Sequence, residues 1–249
     1  MVLEKVVPIP AAGVVWQADV AVPDDPVGLV LFAHGSARAR RSPWGSALAG
    51  RLGRAGLVTI RTDLLAPHEQ YIDERAARLR FDVGLLAGRL VAAVDWLWDR
   101  PQTARLPVGL FSDGTGAAAA LFAAVRRPAA VQAMVFRDGR PDRVGSALGE
   151  VHAPTLFIVS ERDSTLVTLS RQAAASMCAP CQLQLASDST ISVQAAATDH
   201  IAGRASQWFT GHLDSRSTDR AAVAKAPSPA EGASAPSCSD DGPATATPW

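Results

Sequence analysis

Val27–Ala33 (VGLVLFA) is a continuous apolar run that ends in His34-Gly35. A run without polar alternation fits a strand buried on both faces, as in a parallel sheet. Similar short runs recur at Leu57–Ile60, Pro107–Phe111, Val131–Phe136, Thr155–Val159 and Leu183–Leu185. Between them the spacing becomes helical. Asp82–Trp98 sets Leu85, Leu86, Leu90, Val94 and Leu97 on one stripe. Ser42 is a ready N-cap with Pro43 in the first turn of a helix that Gly56 stops. Gly116–Arg127, Leu166–Met177 and Val193–Leu213 complete the helical set, and residues 66–81 read as a loop with a short helix. Leu3–Pro10 and Val14–Val22, split by Ala11-Ala12-Gly13, read as an N-terminal hairpin. Strands alternating with helices predict an α/β fold: a mostly parallel central sheet flanked by helices on both faces. Ligands bind such sheets at the carboxyl ends of the strands, so the turns after Phe32, Phe111 and Val159 carry the most weight.

Composition adds a boundary. From Asp214 the chain turns to Ser, Ala, Pro and Gly with almost no large apolar residue. Such a segment cannot bury enough surface to offset its ordering entropy. The expectation is a folded domain over residues 1–213 and a disordered low-complexity tail over 214–249, with Trp249 an unanchored terminus. The 249 residues are 48% hydrophobic, enough for a sizeable core. Lys plus Arg total 24 and Asp plus Glu total 24, so a nucleic acid or an anionic membrane is not an expected partner. MVLEKVVPIP lacks the apolar stretch of a leader, and no run is long enough to span a bilayer, which together predict a soluble, cytoplasmic protein. Three cysteines rule out a disulfide framework. Cys178-Ala-Pro-Cys181 has redox-motif spacing but follows a helix instead of opening one, and no second ligand pair is near for zinc. No metal or cofactor is expected, and these thiols read as incidental.

The most informative stretch is Val108-Gly109-Leu110-Phe111-Ser112-Asp113-Gly114-Thr115-Gly116-Ala117-Ala118. A strand runs into a small-residue turn and then a helix, the setting of the nucleophile elbow G-x-S-x-G. The turn needs small residues two before and two after its centre, because strand and helix approach closely. Only Gly114 has them, in Ser112 and Gly116; centring on Asp113 or Ser112 puts Phe111 or Leu110 at a flank. The nucleophile seat therefore belongs to a residue without a side chain. Glycine tolerates the strained backbone, so the turn survives. The other reading, a phosphate-cradling glycine turn, matches neither G-x-x-x-x-G-K-[ST] nor G-x-G-x-x-G, and Asp113 would repel the anion.

Several blocks in order carry a family resemblance: LVLFAHGS (29–36), TDLLAP (62–67), RFDVGLLAGRLVAAVDWL (80–97), LPVGLFSDGTGAAAAL (106–121), RDGRPD (137–142) and APTLFIVSERD (153–163). From about Pro8 to Leu213 the chain resembles the dienelactone-hydrolase-like branch of the α/β-hydrolase superfamily. The family's elbow is G-A-S-T-G; here Asp113 and Gly114 stand where Ala and Ser would. The resemblance implies an acid at Asp163 and a base near Ile191, within Ser189-Thr190-Ile191-Ser192, which holds no histidine. His200 is the nearest substitute, either reaching the site or lying exposed on a helix. The family's oxyanion-hole turn corresponds to His34-Gly35, whose N–H groups with that of Thr115 would bind an oxygen; His34 itself also reads as a buried structural histidine.

The remaining chemistry-bearing residues have plain readings beside functional ones. Asp113 is an acid or base for a reaction without a nucleophile, or a solvated turn carboxylate. Ser112 is a displaced nucleophile, or a strand-end serine bonded to backbone. Arg137, Asp138 and Arg140 bind a substrate carboxylate, or fix a turn as ion pairs. His68, Glu69, Tyr71 and Asp73 belong to a segment roofing the pocket. Trp96 and Trp98, two apart on a helix, should be one core and one partly exposed. The site set is thus Asp163, Asp113 and His200, with His34, Gly35, Gly114 and Thr115 lining a pocket. Three functions fit it: a pseudohydrolase binding a small-molecule ligand, a non-covalent lyase or cyclase, or a hydrolase with a non-standard nucleophile or base. The oligomeric state leaves no mark on the sequence.

Overall fold

A computed structural model describes residues 3–11, 13–34, 40, 42–186 and 194–213. The tail from residue 214, including Trp249, lies outside the described residues. Eight strands form one sheet: β1 (Leu3–Ala11), β2 (Val14–Val22), β3 (Gly28–His34), β4 (Leu57–Asp63), β5 (Val108–Asp113), β6 (Val131–Arg137), β7 (Thr155–Ser160) and β8 (Cys181–Ala186). Their spatial order is β1-β2-β4-β3-β5-β6-β7-β8. β1 and β2 form the expected hairpin, and β2 runs antiparallel to β4; every other pair is parallel. The helices are α1 (Pro43–Arg54), α2 (Pro67–Ala76), α3 (Val83–Trp98), α4 (Ala117–Arg126), α5 (Ser164–Ser176) and, after the last strand, α6 (Gln194–His212). Among the described residues no helix is long and apolar enough to cross a membrane.

The two sheet faces have separate cores. On one, Leu86, Leu90 and Val94 of α3 and the alanines of α4 pack against Leu29, Leu31 and Leu110. On the other, Leu48 and Leu52 of α1 and Ile201, Ala205 and Phe209 of α6 pack against Val30, Phe32 and Phe111. Burial on both sides explains why β3 reads as an unbroken apolar run; all seven of its residues are buried. Ser42 caps α1 as expected, accepting from the Gly45 N–H at 3.0 Å. The N-terminal edge is guarded by composition. Pro8 and Pro10 pair with Gln17 and Val15, and having no N–H they halve the donors that β1 offers to another strand.

Two sequence readings change. The segment over 66–81 is not mainly loop: α2 is a ten-residue helix, followed by a 3-10 turn at Leu79–Phe81. Its start is set by Glu69, whose carboxylate accepts from the Ala66 N–H at 2.8 Å. The same carboxylate takes both terminal nitrogens of Arg89, and Arg89 also donates to the Leu64 carbonyl at 2.8 Å. Arg89 sits on the buried face of α3 with 5% of its side chain exposed, so α2 is pinned onto α3 by a desolvated fork. Downstream, buried Asp73 accepts from the Arg80 backbone N–H at 3.1 Å and from its guanidinium, folding the turn back against the helix. The second change concerns Trp96 and Trp98. Both are half-buried, neither is core, and the Arg100 guanidinium stacks 3.8 Å above the Trp96 ring.

The Glu69–Arg89 fork gives a pH-dependent expectation. Arg89 holds the Glu69 carboxyl below its ordinary range, chiefly through the side-chain hydrogen bonds and against the effect of burial. A lowered folded-state pKa stabilises above the unfolded value of about 4.3, and that contribution is lost as pH falls through the folded value. Glu69→Ala should cost about 3–5 kcal/mol at neutral pH, because it strands a buried guanidinium. Urea unfolding from pH 7 to pH 3 checks this; a Glu69→Gln variant with an unchanged acid limb would remove the fork from the stability account.

Candidate active site

β5 delivers the chain into a single tight turn, Gly114–Gly116, from which α4 departs. Gly114 has φ +65°, and an ideal Cβ built on it meets no atom within 4 Å. Gly116 is the opposite case. A Cβ there would collide with the Ala33 carbonyl oxygen of β3 and with the Ser112 hydroxyl. The register read from the sequence is therefore the one built: a crowded flank at 116 and an open, left-handed seat at 114. From the next crossover, Gly139 comes so close that its Cβ would lie 2.5 Å from that of Ala117. The Leu79–Phe81 turn, which follows α2, packs against the elbow turn; Tyr71, Ile72 and Phe81 are exposed.

Asp113 ends β5 beside Arg137, the last residue of β6, and accepts from its guanidinium at 3.2 Å. Arg137 also lies 3.6 Å from Asp138, whose backbone is left-handed at φ +47° and whose carboxylate accepts from the Ser160 N–H at 3.1 Å. Burial pushes the Asp113 carboxyl above its usual range; Arg137 opposes that and Asp138 adds to it. Arg140 makes two 2.8 Å bonds to Asp142. Hence Arg137, Asp138 and Arg140 are engaged in turn-fixing pairs.

Asp163 stands just beyond β7, in the family's acid position. Its carboxylate accepts from the Leu166 N–H at 2.8 Å and so caps α5. Its charge, after that of Asp142, also helps to hold the Arg140 cation. His200 is not brought to this group. It is exposed on α6, with its ring nitrogen 2.9 Å from the Gln184 side chain of β8. Gln184 pairs with Ile158, two residues before β7 ends at Ser160, so His200 meets the sheet edge below the rim that carries Asp163. The exposed-helix reading of His200 is the one built. Gly35 and the segment Ser189–Ser192, with Ile191, lie outside the described residues.

His34 closes β3 with 3% of its surface exposed and packs on the rings of Phe32 and Phe111. Burial first, and the Arg61 cation second, lower its pKa to about 4, so the ring is neutral near pH 7. Its Nε2 has no hydrogen-bond partner. Ser112 is fully buried with an unpartnered hydroxyl, which corrects the expectation of a backbone-bonded serine and leaves it inaccessible as a nucleophile. Thr115 lies inside the turn. Among the described residues no group of three His, Cys, Asp or Glu is placed to hold a metal. Cys178 is exposed; burial raises the Cys181 thiol to about 11, a poor thiolate. The sequence reading missed the Asp113–Arg137 pair. Its signal was a charged residue ending each of two consecutive strands.

The fold is shared with solved proteins. A dienelactone hydrolase from Anabaena variabilis superposes with a TM-score of 0.81 at 41% identity, over 85% of this chain and 99% of that one. The chain belongs to the dienelactone hydrolase family. A cold-adapted esterase from an Arctic intertidal metagenomic library shares the fold alone, with a TM-score of 0.64 at 11% identity over 86% of this chain and 95% of its own. Mycobacterium tuberculosis proteins named "Putative phosphoribosyl transferase" are 42% identical over 207 residues, 83% of this chain. The chain spans only 45% of their length. No family model matches the chain.

The two glycines of the elbow are expected to separate by substitution. Gly114→Ala has room and should cost about 1–2 kcal/mol for its left-handed backbone. Gly116→Ala must push β3 and α4 apart and should cost about 3 kcal/mol. Denaturant unfolding of both variants checks the order; the reverse order would place the close contact elsewhere.

Proposed function

We propose that this member of the dienelactone hydrolase family is a pseudohydrolase: it binds a small ligand in the elbow pocket and does not perform serine hydrolysis. One observation carries the reading. Gly114 occupies the seat of an otherwise complete elbow, so no side chain stands where the nucleophile must be. An acyl-enzyme needs a nucleophile, a base within hydrogen-bond reach and an acid to orient that base. Here the acid position, Asp163, caps a helix, and His200 bonds to Gln184 instead. Ser112, the one hydroxyl near the seat on β5, is sealed off.

Phosphoribosyl transfer, in the name of the mycobacterial relatives, is not assigned to this chain. Less than half of their length matches it, and the named activity can reside in the rest. Asp113 at the elbow also opposes a phosphate at the start of α4.

Purified protein is expected to hydrolyse p-nitrophenyl acetate no faster than buffer and to escape labelling by a fluorophosphonate. A small neutral lactone is expected to raise its unfolding temperature as concentration increases. Covalent labelling, or turnover abolished by Asp163→Ala, would overturn the proposal in favour of an active hydrolase. Turnover that survives the fluorophosphonate and is lost in Asp113→Asn would overturn it in favour of non-covalent catalysis.

A further inference from the structure

We propose that β8 is the contact between two copies of this chain, joined antiparallel about a two-fold axis that passes between their Leu183 residues. β8 ends the strand order of the sheet, so among the described residues only β7 pairs with it. The open edge of a strand is a template for another strand, and proteins usually blunt it with Pro, Lys, a bulge or a cover. β1, at the far end, follows that rule with Pro8 and Pro10, and with Glu4 and Lys5 exposed. β8 does not. Cys181–Ala186 (CQLQLA) holds no proline, glycine or charged residue, and its pairing with β7 runs without a bulge over the whole strand.

The hydrogen bonds to β7 show which groups the edge presents. The Thr155 N–H donates to the Pro180 carbonyl at 2.9 Å, and the Glu161 N–H to the Ala186 carbonyl at 3.1 Å. Even-numbered residues of this segment therefore turn their backbone groups toward β7. By alternation Cys181, Leu183 and Leu185 turn theirs away, each with one donor and one acceptor. A second β8 laid antiparallel with Leu183 opposite Leu183 sets Cys181 opposite Leu185 at either end. Every outward residue then meets an outward residue, and each pair exchanges both of its N–H···O=C bonds. A shift by one residue would set outward groups against residues turned to β7 and leave them unpaired. The two-fold arrangement closes on itself, and the joined sheet ends on both sides in the guarded β1.

The side chains fit the same register. Opposed residues of an antiparallel pair share a face of the sheet. Cys181 and Leu183 lie on the α3–α4 face, where they pack at the border of the core, and Leu185 follows them on that face. The pairing makes one apolar row there, Leu183 against Leu183 and Cys181 against Leu185. It covers Leu185, which is 43% exposed in the single chain. On the other face Gln182 meets Gln184, neutral amides that both donate and accept. Gln184 is already oriented by the His200 ring at 2.9 Å. The strand is thus its own complement in backbone groups, in side-chain faces and in charge, and this is why a second copy is the occupant assigned.

Light scattering on the size-fractionated whole protein across the micromolar range tests this. A mass near twice 26.0 kDa is expected. Leu185→Pro removes an outward N–H while leaving the ladder to β7 intact, so it should fold and weaken the dimer by about tenfold or more. Leu185→Lys, which places a charge on the edge, should act in the same direction. Val6→Lys, on exposed β1, should leave the dimer unchanged. If circular dichroism shows Leu185→Pro unfolded, Leu185→Lys decides. The register is read by oxidising Leu185→Cys with Cys178 and Cys238 replaced by serine. A covalent dimer through Cys181 of the other copy is expected, because paired Cα atoms about 5.5 Å apart lie within disulfide reach. Gln182→Cys in the same background should not crosslink. A monomer at every concentration, whether the edge stays open or is covered by the chain's own residues, overturns the proposal. So does a dimer that keeps its affinity in the folded Leu185 variants, or one that crosslinks through Gln182→Cys alone.

Discussion

The contact on which the site depends is the close approach of Gly116 to the Ala33 carbonyl of β3 and the Ser112 side chain of β5. Strand, turn and helix meet there with no room for a single extra carbon. The contact sets how far α4 lies from the sheet, and α4 meets that distance with alanines: Ala117, Ala118, Ala119 and Ala120 are all buried. It also sets the height at which β5 turns relative to the end of β3. The turn that follows β6 is drawn in by the same logic, since Gly139 rests on Ala117. A volume constraint at two glycines thereby fixes how closely the elbow, α4 and the turn after β6 meet.

Those charged groups are arranged for the fold at least as much as for chemistry. Asp163 supplies the N-cap of α5, Asp138 accepts from the Ser160 N–H, and Arg140 forks onto Asp142. A carboxylate at a helix N-terminus satisfies an otherwise orphaned N–H and complements the helix dipole. Such a residue is worth keeping without catalysis. A strand-end acid of this kind serves the fold whether or not it also serves chemistry, so its presence is weak support for hydrolysis.

Fold class was legible because the apolar period changes cleanly between β3, β5 and α3, and because small residues punctuate the elbow. The candidate centre of that elbow was legible too, since of Ser112, Asp113 and Gly114 only Gly114 has small residues two before and two after it. The 66–81 segment was not. Its helix, α2, is amphipathic only weakly and owes its place to Glu69 and Arg89, twenty residues apart in sequence and joined only in space. Nor was the fate of His200. Helical spacing placed it partway along α6, but only the pairing of Gln184 with Ile158 shows that it meets the sheet below the rim. Ser112 misled for a further reason: sequence marks a small residue without saying whether its hydroxyl finds a partner, and here it finds none.

Glycine at the seat is itself an argument about what has been retained. Among residues with a side chain, each would have to hold a left-handed backbone at φ +65°, at a cost of about 1–2 kcal/mol. A hydrolase bears that strain because the nucleophile requires it. Glycine holds the same backbone without that strain and leaves the turn, the close contact at Gly116 and the space above the elbow in place. On the pseudohydrolase reading proposed above, the open seat at Gly114, the buried Ser112 and the unpartnered Nε2 of His34 belong to one elbow that holds no covalent intermediate.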